Sequence, residues 1–239
     1  MAILEWKKEG TVAVITMTNG ENRHNPDFAA LLMGTLDEIE KDMDVSSVVI
    51  SSSDEKNWSQ GIDTNWLMAA YGKKDFQAIR DFLYGMNKIF KRIILYPLPV
   101  IAAINGHAFG NGAILACACD YRFMRSDKGF FCFPEVDINI PFLPGMVCII
   151  RKAFPEYKVT EAVFSGKRMV GPELEADKVI VKACQGQEEL MAAAIAFAGT
   201  FKKGRPIFGE LKRRFRKEII SAIDNDDAAY IEPLSIIMR

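Results

Sequence analysis

The sequence predicts an α/β protein with a core of parallel strands, and three observations carry that reading. Short β-branched segments recur along the first 133 residues and alternate with longer segments whose apolar residues fall at helical spacing. Glycines gather just past the ends of two of those strands. No linker-like stretch divides the chain, and its 239 residues, 49% of them apolar, suffice for a sizeable core.

The elements can be taken in order. Thr11 to Thr18, TVAVITMT, alternates and is β-branched, with a turn signal after it in NGENRHNP, so it reads as a strand. Asp27 to Met43 carries Phe28, Leu31, Leu32, Leu36 and Ile39 on one helical face, and Pro26 suits a first helical turn. Ser46 to Ser53 has the continuous apolar centre of a strand buried on both faces. A loop over Asp54 to Asp63 precedes a helix at Phe76 to Leu95, which stops at Pro97 and Pro99. PVIAAIN is the third strand, AFGNG a glycine-rich turn, and the apolar run from Ala113 a helix. Tyr121 to Ser126 and Gly129 to Phe133 supply two further strands. From about Tyr157 the chain reads as mainly helical, with amphipathic segments at Gln187 to Phe201 and Pro206 to Ile223.

Bulk properties narrow the function. Thirty basic residues against 31 acidic ones leave no whole-molecule field to attract nucleic acid or an anionic membrane. The basic cluster from Lys202 to Lys217 reads first as a solvated helix face, and DNDD at Asp224 to Asp227 argues against nucleic acid. Cysteines at 117, 119, 132, 148 and 184 lack zinc or disulfide-framework spacing and read as buried reduced thiols. MAILEWKKEG lacks a secretion signal's basic-then-apolar order, SIIMR matches no C-terminal address or lipid signal, and no apolar run reaches membrane-spanning length. A cytoplasmic protein is expected.

Two loops share one grammar. WSQGID comes after the second strand and AFGNG after the third, so each can present a free backbone N–H beside the other. Two converging N–H donors make an oxyanion hole, and the positive end of the helix after AFGNG would point at the same spot. Each loop alone reads first as a structural turn, and it is their repetition after adjacent strands that favours the functional reading. His24 and His107 have no metal-like or triad pattern around them.

SQGID, then PVIAAINGHAFGNGAILACACDYR, then FCFPEVDI together resemble the crotonase, or enoyl-CoA hydratase/isomerase, superfamily over roughly Thr11 to Arg168. The pattern is most similar to the Δ3,Δ2-enoyl-CoA isomerases. The resemblance implies a spiral of strand-strand-helix units over residues 1–190. It also implies a helical, oligomerising C-terminal region over 191–239, in a homotrimer or dimer of trimers. It places the two oxyanion amides at Ile62, after Gly61, and at Asn111, between Gly110 and Gly112, where the family commonly has a third glycine. The family's first hydratase glutamate falls on Ile114, which carries no proton, and the second on Glu135. One carboxylate suits a double-bond shift, in which a single base takes a proton and returns it elsewhere.

The implied substrate is therefore an acyl-CoA thioester, with no metal and no cofactor beyond the CoA of the substrate itself. The implied reaction converts a Δ3-enoyl-CoA to the Δ2-trans isomer. Hydration, another reaction of the family, or silent acyl-CoA binding are the alternatives. Partial burial after the strand GFFCF is expected to raise the Glu135 pKa. Asp137, if its segment is extended, would lie on the same side as Glu135, where it would either raise that pKa by like-charge repulsion or serve as a second acid. Ile114, Ile140, Phe142 and Leu143 suit an acyl pocket, though core packing is the default reading for any one of them. Arg23 lies where the family commonly touches CoA, and the Lys202 to Lys217 cluster is a further candidate for the 3′-phosphate.

Overall fold

A computed structural model describes residues 3–235 of the chain. The chain opens with β1 (Leu4–Glu9), β2 (Val12–Met17) and a two-residue β3 (Arg23–His24), then α1 (Pro26–Lys41). The Asn25 side chain caps α1 by accepting from Phe28 N–H at 3.0 Å. Next come β4 (Ser47–Ser52), β5 (Asn57–Ser59), β6 (Gly61–Ile62), α2 (Thr64–Gly72) and α3 (Phe76–Leu95). A third run holds β7 (Val100–Ile104), β8 (His107–Phe109) and α4 (Asn111–Ala118), and a fourth β9 (Tyr121–Arg125), β10 (Phe131–Cys132), α5 (Glu135–Ile138) and α6 (Pro144–Ala153). The rest is α7 (Glu156–Phe164), α8 (Gly171–Ala176), β11 (Lys182–Cys184), α9 (Gly186–Ala198), α10 (Arg205–Phe215), α11 (Lys217–Ser221), a π-helical turn at Ala222–Asp226 and α12 (Ala228–Ile231).

The main sheet has the order β1-β2-β4-β7-β9-β11 and is parallel except for the antiparallel edge pair β1 and β2. A second, parallel sheet runs β10-β8-β5, and β3 pairs with β6 beside it. Each central turn of the chain thus lays one strand in the main sheet, one in the small sheet, and then a helix. Parallel strands covered on both faces need continuous apolar runs, and β4 and β7 are buried along their whole lengths. The larger core lies between the sheets and helices α1, α3 and α4, while α9 covers the other face of the main sheet with Leu190, Ala194 and Ala198.

β1 is not legible in the sequence. LEWKKE is an edge strand whose lysines face outward, so it lacks the apolar run that marks a central strand. The strand expected over Gly129 to Phe133 pairs only through Phe131 and Cys132, and the helix expected over Pro206 to Ile223 breaks at Arg216. The five cysteines are free, and all but Cys148 are buried. The closing residues 236–239 of SIIMR, and of the region expected to oligomerise, lie outside the described residues. No helix among the described residues is long and apolar enough to cross a membrane.

Candidate active site

The two loops meet. Gln60 N–H donates to Glu21 O at 3.0 Å and Asp63 N–H to His24 O at 2.8 Å. These residues are an odd number apart, and a regular strand would point their amides in opposite directions. Gly61 absorbs the reversal with φ +78, and among the described residues β6 pairs with β3 alone, so its other edge has no strand against it. A Cβ at Gly61 would lie 2.7 Å from Phe109 O and 2.9 Å from Asn111 N, so only glycine lets the loops approach this closely. A Cβ at Gly112 would lie 2.6 Å from Ser59 O, which closes the contact from the other side.

Asn111 is the first residue of α4, so its N–H has no partner within the helix, and the positive end of the helix sits there. Gly110, at φ 53 and ψ −124, donates its N–H to Cys132 O at 3.0 Å and ties the turn to β10. β10 then leads into Glu135. A Cβ at Gly110 would lie 3.3 Å from Glu135 Oε1, which places the carboxyl over the glycine turn.

Ile62, Asn111 and Glu135 line one cavity of about 40 Å³ with Leu83, Ile140, Pro141, Phe142, Leu143 and Met146. Glu135 is the one titratable side chain among them. Its Oε2 is buried without a hydrogen-bond partner, and burial pushes its pKa up to about 7 against a weak opposing hydrogen bond from its own N–H. A second, apolar cavity of about 510 Å³ shares Glu135, Ile140, Pro141 and Phe142 and extends to Val159, Val163 and Phe164.

Several expectations raised by the sequence need correction. Glu135 to Ile138 is a helical turn, closed by Asn139 at φ 54, so Asp137 does not share a face with Glu135. Asp137 is exposed and points at Gly166, it lines neither cavity, and it does not contribute to the raised pKa of Glu135. Ile114 is wholly buried in the core and does not line the cavity. Part of the basic cluster is committed to other contacts. Arg205 donates to Glu40 O, Asp42 O and Val45 O, Lys212 is buried against Asp120, and Arg213 and Arg214 pair with Glu210. Arg23 is held at the rim of the first loop, with Nε on Glu21 at 2.7 Å and a guanidinium N–H on Ile62 O at 3.4 Å. Phe142 and Leu143 do line the cavity.

His24 is a residue of this site that the sequence does not reveal. It is wholly buried, stacks on Phe28 at 4.2 Å, and lies 3.0 Å from Ser59 Oγ and 2.9 Å from Asn111 Nδ2. A lone histidine before Asn-Pro carries no pattern that would mark it, because its partners come from two distant loops.

Spiral topology, two apposed glycine turns and one buried carboxyl define a protein of the crotonase fold. Residues 7–229 match the model of the enoyl-CoA hydratase/isomerase family, and the chain belongs to that family. The match reaches well beyond the Thr11 to Arg168 stretch that holds the motifs. The chain is 31% identical over 219 residues to peroxisomal enoyl-CoA delta isomerase 2 of Arabidopsis thaliana, covering 89% of this chain and 90% of that one. It is 35% identical over 212 residues to the short-chain-enoyl-CoA hydratase of Clostridium acetobutylicum, covering 87% and 78%. Among solved structures, an enoyl-CoA hydratase of Mycobacterium ulcerans superposes with a TM-score of 0.86 at 23% identity, over 97% of this chain and 99% of that one.

Proposed function

We infer that this chain is an acyl-CoA isomerase that shifts a Δ3 double bond to the Δ2-trans position. One observation carries the reading: the cavity lined by Ile62 and Asn111 has a single titratable side chain on its wall, Glu135. With a pKa near 7, Glu135 is present in both protonation states at neutral pH, as a group that must take and return a proton requires. Its carboxylate removes a C2 proton from a 3-enoyl-CoA. The amide N–H groups hold the oxygen of the resulting dienolate, and the protonated Glu135 delivers the proton to C4. The CoA enters as part of the substrate, with Arg23, which bonds the Ile62 carbonyl, as its first cationic contact.

The exposed position of Asp137 supports isomerisation over hydration, since adding water calls for a second group beside the double bond. The hydratase relative keeps hydration as the competing reading. Incubation of a 3-enoyl-CoA and a 2-enoyl-CoA with the protein, each with product analysis, separates the two. Conversion of the first without hydration of the second is expected. Faster hydration would end the isomerase reading, and thioester binding without α-proton exchange would leave a silent binder.

Exposed Phe164 and Phe215 suit an assembled state, and sedimentation velocity would test the trimer or dimer of trimers. The free cysteines suit a reducing compartment such as the cytoplasm.

A further inference from the structure

The buried hydrogen bonds around His24 have a definite direction. Ser59 Oγ lies 2.8 Å from Asn22 O, an acceptor that can take only a donated hydrogen, so the single hydroxyl proton of Ser59 goes there. Ser59 Oγ must then accept from His24 Nε2, 3.0 Å away. A neutral ring protonated on Nε2 offers Nδ1 as an acceptor, and Asn111 Nδ2 donates to it at 2.9 Å. The chain of bonds therefore runs from the Asn111 amide through the His24 ring and the Ser59 hydroxyl to the Asn22 carbonyl. Ser59 Oγ also accepts from Gly61 N–H at 3.2 Å. The main chain of His24 pairs with Ile62 in the β3–β6 ladder, and its carbonyl accepts from Asp63 N–H at 2.8 Å. One residue thus touches both amide-bearing loops, the first through its backbone and Ser59, the second through Asn111.

We propose that His24 is a positioning residue that fixes the two oxyanion amides relative to each other by bonding the Ser59 hydroxyl and the Asn111 side chain from opposite sides of one ring. This rests on the isomerase reading only in that the amides are taken to bind a thioester oxygen. No acid or base step is assigned to the ring, which no carboxylate among the described residues contacts and which is wholly buried, with Phe28 stacked on it. What the ring contributes is distance. Two donors help a developing oxyanion only if both reach it together, and a displacement of about 1 Å can cost on the order of 100-fold in rate.

The test is a double-mutant cycle. His24→Phe keeps a ring to stack on Phe28 and removes both ring hydrogen bonds, and Asn111→Ala removes the side-chain amide while keeping the backbone N–H. His24→Phe is expected to lower kcat for a 3-enoyl-CoA about 10- to 100-fold with KM changed less than about threefold. In the Asn111→Ala background the same substitution should add less than about twofold, because the bridge between the two loops is already broken at its Asn111 end and the remaining Ser59 bond no longer ties one amide to the other. Multiplying effects, or a folded His24→Phe enzyme with unchanged kcat, would overturn the proposal.

Two NMR readouts on labelled protein do not depend on turnover. The wild-type His24 ring should show the neutral tautomer protonated on Nε2, and a ring protonated on Nδ1 would overturn the proposal even if no variant folds. The backbone amide resonances of Ile62 and Asn111 should shift together in His24→Phe. If wild-type protein isomerises no 3-enoyl-CoA, the isomerase reading fails, and these resonances still decide the role of His24.

Discussion

Helix α4 has two ends that the molecule treats in opposite ways. At the N-terminal end the first amides have no helical partners, and Asn111 lines a cavity together with Glu135. At the C-terminal end the carbonyls are crowded with donors. Lys152 Nζ donates to Ala118 O at 3.1 Å and Cys119 O at 2.6 Å, and Arg122 donates to Cys119 O at 2.9 Å and Ala116 O at 3.4 Å. Lys212 stands next to them on Asp120 at 2.8 Å. Cations at the C-terminal end complement the helix dipole there, whereas Gly110 at the N-cap gives no side-chain cap bond. The contrast is between an end of one short apolar helix that is tied into the fold by cations and an end that lines a cavity.

Four substitutions probe that contrast, in decreasing order of effect. Glu135→Gln leaves the amide end intact and removes the base. Turnover of a 3-enoyl-CoA should fall by about 10²- to 10⁴-fold while calorimetry still detects thioester binding. The same variant reports on the cost of burying the carboxylate. Because folding raises the Glu135 pKa from 4.5 to about 7, its stabilising contribution is complete below 4.5 and is lost as pH rises through 7. Glu135→Gln should therefore be more stable than wild type at pH 8, by up to about 3 kcal/mol in denaturant titrations, and by little at pH 4. In the wild type, turnover limited by this base should rise with pH through about 7.

Gly61→Ala attacks the amide end by geometry alone. Its Cβ would press on Phe109 O and Asn111 N, at 2.7 and 2.9 Å, and part the two donors. A loss of about 100-fold in kcat, with circular dichroism unchanged, is expected. Lys152→Met attacks the other end. The ammonium is enclosed, although its stem is half-buried, and desolvation lowers its pKa to about 7. Two hydrogen bonds are lost and a buried cation is relieved, so a loss of about 1–2 kcal/mol in stability with kcat within about threefold is expected. A kcat loss as large as that of Gly61→Ala would show that the two ends are not separable. Asp137→Asn should change kcat less than about twofold, and a larger loss would restore it as a second acid.

Much of the site is readable along the chain because its parts are local. Gly61, Gly110 and the Pro-Glu at Glu135 each sit at the end of a strand, and repetition of the glycine turn after neighbouring strands marks where two backbone segments converge. Sequence and structure part company where local conformation or distant partners decide. An extended segment would set Asp137 beside Glu135, and a single helical turn rotates it to the surface instead. The basic run from Lys202 has the composition of a phosphate ligand, but Arg205 and Lys212 serve carbonyls and a carboxylate far away in sequence.

By itself the sequence determined the alternation of strand and helix, the two glycine turns and the single carboxyl at Glu135, because periodicity, backbone conformational freedom and side-chain chemistry are properties of short segments. Only the tertiary structure decided that Ile62, Asn111 and Glu135 share one cavity and that His24 bridges the two turns. It alone also decided that the cations of three separate elements close the far end of α4. Those relations depend on which strands become neighbours and on how much water their packing excludes, and burial of that kind is a property of the assembled chain.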